Sequence, residues 1–139
     1  MTAPDLQLLN EWAAAWSSHD PDRVLALFTD DCVYEDVPFG VVIHGKEELR
    51  AFATAAFDAV PDLTFQLTNR FAAGSLAAME WAMSGTHKGD FPGLPATGKG
   101  FSALRGATVI EAHGGKIRRN SDYWDAASFM KQVGLLSSR

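Results

Sequence analysis

The chain carries a single cysteine, Cys32, so no intrachain disulfide can form, and cytoplasmic residence is expected rather than secretion. The apolar neighbour Val33 marks Cys32 as a buried structural thiol rather than a nucleophile. No stretch approaches the ~18 unbroken apolar residues of a membrane span, so no membrane partner is expected. Met1 to Asp5 contain no basic region feeding an apolar run, so no leader peptide is read there. Basic residues are outnumbered: 12 Lys and Arg stand against 17 Asp and Glu, a net charge of -5. That balance argues against a nucleic-acid partner. The short cluster Lys116, Arg118, Arg119 reads as a solvated strand face. His19, His44, His87 and His113 have no metal-ligand spacing with cysteine or acidic residues, so no metal and no cofactor are expected. A nucleophile elbow for Ser-His-Asp chemistry is also missing.

What is present is enough for one packed core. The 139 residues are 47% apolar and are read as one domain spanning 1–139. Leu6, Leu9, Ala13 and Trp16 recur at helical spacing, with Leu8, Trp12 and Ala15 widening the stripe. Asp20 then suits an N-cap, with Pro21 at the first position of a short helix carrying Val24, Leu25, Leu27 and Phe28. Thr29-Asp30-Asp31 should end it. Cys32–Val37 reads as a strand, Pro38-Phe39-Gly40 as a turn, and Val41-Val42-Ile43 as a short strand. Gly45 opens a third helix, with Glu47 and Glu48 at its positive end and Leu49, Phe52, Ala56 and Phe57 on its apolar face.

Beyond Pro61 the texture becomes strand-like. Leu63, Phe65, Leu67, Asn69 and Phe71 alternate with polar residues. Long strands follow over 75–88, 101–110 and Lys116–Trp124, the last after a His113-Gly114-Gly115 turn. Asp125 should cap a final helix carrying Phe129, Met130 and Val133, which Gly134 stops. Helices first and an antiparallel meander after predict an α+β fold. Its N-terminal helices would pack on a strongly curved, mainly antiparallel sheet and enclose an apolar pocket.

Strand parity nominates the residues that face this pocket. Ala77, Met79, Trp81, Met83 and His87 share one face of their strand, and that face is apolar. His87 is either a functional group or a core histidine held by a backbone carbonyl. Tyr34 and Asp36 share a face; an Asp among aromatics is costly unless paired or used, and burial would raise its pKa toward useful acid-base chemistry. The other reading of Asp36 is a surface residue before a turn. Asp122 shares parity with Arg118, Asn120 and Trp124, and is either a pocket acid or a salt-bridged strand residue. Gly93–Gly100 nearly spells a phosphate-binding loop, but Gly100 replaces the hydroxyl residue and the segment joins two strands. A mobile flap at the pocket mouth is expected instead.

Two stretches carry a family resemblance. Trp16 to Gly45 contains Asp36-Val37-Pro38-Phe39-Gly40 followed by Ile43-His44-Gly45. Gly85-Thr86-His87 continues through Gly89, Phe91, Gly93, Pro95 and Thr97-Gly98-Lys99. They resemble the ketosteroid-isomerase and SnoaL-like polyketide-cyclase branch of the nuclear-transport-factor-2-like superfamily. The resemblance implies a cone-shaped α+β fold. It places Asp36 where the isomerases keep their general base, and the Asp122 region where the cyclases keep a catalytic Asp. The isomerase oxyanion hole, a Tyr and a protonated Asp, has no equivalent: Trp12 takes the Tyr position, and Gly106 or Ala107 the Asp position. The Asp-Arg-Asp set of the limonene-epoxide hydrolases is missing too, with Trp81 and Met83 standing in its place.

The candidate catalytic residues are therefore Asp36, Asp122 and His87, with His87, Trp12 or Tyr34 available to hold an oxyanion. Trp12, Trp16, Tyr34, Phe39, Phe52, Met79, Trp81, Met83, Phe101 and Trp124 are the expected substrate-binding surface. The expected activity is cofactor-free proton transfer on a small hydrophobic carbonyl or hydroxyl compound, as in a polyketide cyclase or isomerase. The alternatives are a dehydratase using Asp36, Tyr34 and His87, and a non-catalytic ligand-binding or assembly module. The exposed sheet face suggests a homodimer.

Overall fold

The computed structural model describes residues 6–91 and 93–136; the leader reading on residues 1–5 lies outside them. Helix α1 (Leu6–Ser17) buries the predicted stripe from Leu8 to Trp16, but Leu6 at its first position is exposed. Two residues beyond its end, His19 turns the chain at φ 61°. Asp20 then caps α2 (Pro21–Leu25), accepting a 2.9 Å bond from the Asp22 N–H. This helix is shorter than its sequence suggests. Phe28 does not extend it but opens strand β1 (Phe28–Asp36), and Thr29-Asp30-Asp31 lie within that strand. Pairing decides the matter: the Ile117 N–H donates to Leu27 O at 2.8 Å, and Phe28 sits opposite Ile117, both fully buried.

The remaining elements follow in the expected order. They are β2 (Val41–His44), α3 (Gly45–Ala59), β3 (Thr64–Ala73), β4 (Leu76–Thr86), β5 (Gly100–His113), β6 (Lys116–Trp124) and α4 (Ala126–Gln132). The six strands form one sheet in the order β2-β1-β6-β5-β4-β3, with β1 and β6 parallel and every other pair antiparallel. Helices α1 and α3 pack on its inner face, and α4 folds over β5. Asp125 caps α4 through a 3.0 Å bond from the Ser128 N–H. Among the described residues, no helix is long and apolar enough to cross a membrane.

Four register shifts interrupt the sheet, and the two that flank β4 change which side chains face in, as bulges do. The register of β3 against β4 slips between Leu67 and Asn69. Leu67 therefore faces inward opposite Trp81, but Phe71 lies opposite Ala78 on the outer face and is 63% exposed. The regular alternation expected through Phe71 breaks there. The second slip lies where Met83 and Gly85 meet Leu104 and Phe101, and Ala103 takes φ 53°.

Gly106 fixes one close approach. A Cβ there would stand 2.4 Å from the Trp81 ring and 2.8 Å from Trp124 Cβ. The Trp81 indole thus leaves no room for a side chain at Gly106, one of the two positions, with Ala107, that the resemblance sets against the second isomerase acid.

Candidate active site

The inner faces of the sheet and helices enclose a cavity of about 640 Å³, a size suited to a small organic molecule. Its walls are aromatic: Trp16, Tyr34, Phe39, Phe52, Phe65, Trp81, Phe91, Phe101, Trp124 and Phe129 all line it. The charged lining groups, among the described residues, are Asp36 and Asp122. Parallel pairing of β1 with β6 sets these two aspartates directly opposite each other, and the Val37 N–H donates to Asp122 O at 3.0 Å.

Asp122 is buried at the centre of a hydrogen-bonded network. Its Oδ1 accepts from the Thr108 hydroxyl at 2.7 Å and from Asn120 Nδ2 at 2.8 Å. Its Oδ2 accepts from the Tyr34 hydroxyl. Two tryptophans set the direction of these bonds, because an indole N–H can only donate. Trp81 Nε1 donates to Thr108 Oγ1 and Trp12 Nε1 to Asn120 Oδ1, each at 2.9 Å. The Thr108 proton and the Asn120 NH₂ are thereby left to point at Asp122. Burial pushes the Asp122 carboxyl up to about 6; the Thr108, Tyr34 and Asn120 donors pull it down, and the Asp36 charge raises it further. The Tyr34 phenol is driven well above its ordinary range, first by burial and then by the Asp122 charge.

Asp36 is held differently. Its Oδ1 accepts from Trp124 Nε1 at 3.1 Å and from the Phe39 N–H at 3.2 Å, the second bond closing the Pro-Phe-Gly turn. Its Oδ2 takes no hydrogen bond from the described residues. Burial raises this carboxyl above the ordinary range, and the Phe39 and Trp124 donors offset part of the rise.

The structure gathers most of the nominated residues here, but not all. Asp36, Asp122, Trp16, Tyr34, Phe39, Phe52, Trp81, Met83, Phe101 and Trp124 line the cavity. Trp12, Met79 and His87 do not. Trp12 spends its N–H on Asn120, one residue removed from the carboxylate, so it is not an oxyanion donor. Met79 is packed in the core below Trp81 along β4. His87 is fully buried behind two lining rings, Phe91 at 5.9 Å and Phe129 at 5.6 Å between centroids. Its Nε2 has no partner among the described residues. The Asp36, Tyr34 and His87 set of a dehydratase is therefore not assembled. The salt-bridge reading of Asp122 also fails, since its partners are a hydroxyl, an amide and a phenol. No three His, Cys, Asp or Glu side chains converge as a metal site among the described residues.

Thr108 and Asn120, which support the carboxylate, are not among the residues nominated above. Asn120 shares strand parity with Asp122, which offered a clue; Thr108 becomes visible only through cross-strand pairing. Phe65, Phe129 and Met130 in the walls are also not among those nominated. The segment between β4 and β5 does form a flap. Phe91 and Leu94 bond to each other at 2.9 and 3.0 Å across its tip, and both line the cavity. Its base is tied by the His87 N–H to Lys99 O at 2.9 Å and by the Gly98 N–H to His87 O at 2.8 Å.

A curved, unclosed six-stranded sheet wrapped on helices, with an acid-bearing aromatic cavity inside, defines the ketosteroid-isomerase-like class of the nuclear-transport-factor-2-like fold. Within that class the chain belongs to the SnoaL-like polyketide cyclase family, whose pattern it matches over residues 6–133. A Catenulispora acidiphila protein of ketosteroid-isomerase-like fold, solved in complex with trimethylamine, is similar at 25% identity and TM-score 0.83, covering 97% of this chain and 96% of that one. A Pseudomonas putida protein provisionally named a polyketide cyclase is similar at 28% identity and TM-score 0.76, with 91% and 95% covered. TsrD from Streptomyces laurentii shares the fold at 24% identity and TM-score 0.82, with 94% and 95% covered. Comparison with curated proteins gives no match.

Proposed function

We propose that this protein is a cofactor-independent proton-transfer enzyme acting on a small, hydrophobic carbonyl or hydroxyl compound, of the polyketide-cyclase or isomerase type. The observation that carries this reading is Asp36. It is a buried carboxylate on an aromatic cavity, with one oxygen held by two N–H donors and the other unclaimed among the described residues. A base needs such an oxygen within reach of the proton it abstracts. Oδ2 would take a proton from the carbon beside a carbonyl, and the C–H electron pair would move onto the carbonyl oxygen. Return of that proton to another carbon completes an isomerisation. Attack of the carbanion on a second carbonyl of the same molecule, with the proton returned to the new alkoxide, closes a ring.

The test is a screen of polyketide, steroid and terpenoid carbonyl compounds for deuterium uptake from D₂O. Wild type should exchange at least one class, and Asp36→Asn should lose about 10²–10⁴-fold in rate. Exchange that survives Asp36→Asn sinks the assignment.

A second reading, as a ligand-binding module, draws on the trimethylamine complex of the Catenulispora protein. Aromatic walls and two carboxylates suit an organic cation. Tight trimethylammonium binding without any carbonyl turnover would favour it.

We also propose a homodimer formed through the outer sheet face, where Phe71, Leu76, Val109 and Tyr123 are exposed. Sedimentation should give twice the chain mass, and Phe71→Glu should give the monomer; a monomeric wild type at micromolar concentration refutes this. Cytoplasmic residence is part of the same proposal and rests on the single buried thiol.

A further inference from the structure

The Asp122 network has one open position. Oδ1 already accepts two hydrogens, from Thr108 and Asn120, and Trp81 and Trp12 fix the direction of both. Oδ2 accepts one, from Tyr34. A proton added to this carboxylate must therefore sit on Oδ2. Two hydrogens cannot lie between Oδ2 and the Tyr34 oxygen. The Tyr34 hydroxyl must then accept from Asp122 and turn its own proton elsewhere. Tyr34 and Asp122 both line the cavity, so that is where the freed donor can find an acceptor.

We infer that Tyr34 is the hydrogen-bond donor for the substrate oxygen, and that protonation of Asp122 switches it from donating to the carboxylate to donating into the cavity. The inference rests on the proton-transfer reading, because a donor of this kind stabilises charge that forms on a carbonyl oxygen. It supplies the donor that the resemblance leaves missing at Trp12 and at Gly106 or Ala107. It also gives the two aspartates different work: Asp36 Oδ2 removes the C–H proton, the electron pair moves to the carbonyl oxygen, and Tyr34 Oη–H bonds to that oxygen while Asp122 keeps its proton. No net proton leaves the Asp122–Tyr34 pair.

The groups around the switch are few. The titratable side chains that face Asp122, among the described residues, are Asp36 and Tyr34, both from β1. Strand β5 presents Thr108, and α1 presents Trp12 through Asn120. Burial together with the Asp36 charge moves the Asp122 carboxyl to about 6, so the switch works within an accessible pH range. Trp12 and Trp81 are positioning residues: they touch neither carboxylate but decide which of its oxygens is free.

The chain has two tyrosines, Tyr34 and Tyr123. Labelling tyrosine at ¹³Cζ gives two resonances, and Tyr34→Phe assigns them. The Tyr34 resonance should shift with a midpoint at about 6 in wild type, and should stay fixed in Asp122→Asn. The second readout is affinity for the ketone 1-tetralone. Wild type should bind it about tenfold more tightly at pH 5 than at pH 8, the worth of one hydrogen bond. Tyr34→Phe should lose that difference. Asp122→Asn should bind tightly at both pH values, because an Asn NH₂ donates to the Tyr34 oxygen permanently. A Tyr34 resonance flat from pH 5 to 8, or tetralone binding without pH dependence in wild type, overturns the inference. The wild-type measurements need no variant to fold. Deuterium exchange lost in Asp36→Asn alongside a flat Tyr34 resonance would remove the switch and leave the base in place.

Discussion

Thr108→Val isolates the network that holds Asp122, because it removes one hydroxyl and keeps the branched shape. Thr108 lies opposite Asp122 in the β5–β6 pairing and is fully buried. Its hydroxyl serves two partners, accepting from Trp81 Nε1 at 2.9 Å and donating to Asp122 Oδ1 at 2.7 Å. Valine leaves the indole N–H unsatisfied, which costs about 1–3 kcal/mol at any pH. It also removes a bond to a charged group worth about 1.5 kcal/mol more to the ionised carboxylate than to the neutral acid, which moves the Asp122 carboxyl from about 6 to roughly 7.

The sign follows from linkage. The unfolded carboxyl ionises near 3.8 and the folded one at about 6. The folded chain therefore binds the proton more tightly, and stability from this group is full below 3.8 and is lost as pH rises through 6. In wild type that loss is on the order of 3 kcal/mol. The variant should lose about 1.4 kcal/mol more at pH 8 than at pH 5. Urea unfolding at the two pH values, with ¹³C titration of the carboxylate, measures both quantities. An equal loss at pH 5 and pH 8, or an unmoved carboxylate, would show that the hydroxyl does not bear on the charge.

Two further outcomes follow from packing. Gly106→Ala places a Cβ 2.4 Å from the Trp81 ring, so stability should fall by about 1–3 kcal/mol and tryptophan fluorescence should change; wild-type urea midpoint and emission would refute the close approach. His87→Phe replaces a buried ring whose Nε2 has no partner among the described residues, and should leave stability equal or raised by about 1 kcal/mol without loss of turnover. A variant with lost turnover would bring His87 back into the chemistry.

The fold was legible where local pattern decides it. Alternation along Cys32–Val37 puts Tyr34 and Asp36 on one face, and the Asp20-Pro21 and Asp125 caps begin their helices as their chemistry predicts. Illegibility begins where one strand depends on another. The Phe28 start of β1 is set by Ile117 across a parallel ladder, and a slip near Thr68 turns Phe71 outward; neither leaves a local trace. The site shows the same division. Single strands nominate Asp36 and Asp122, but the directed bonds that set Asp122 apart come from Thr108, Trp12 and Trp81 on three other elements. His87 has the parity of a pocket residue and misses the cavity, because Phe91 of the flap and Phe129 of α4 stand against it.

The most direct test is ¹H NMR of 1-tetralone in D₂O with wild type and with Asp36→Asn, at matched protein concentration. Wild type should lose the α-proton signal faster than buffer alone, and the variant only at the buffer rate. Equal exchange by both proteins would contradict Asp36 as the base.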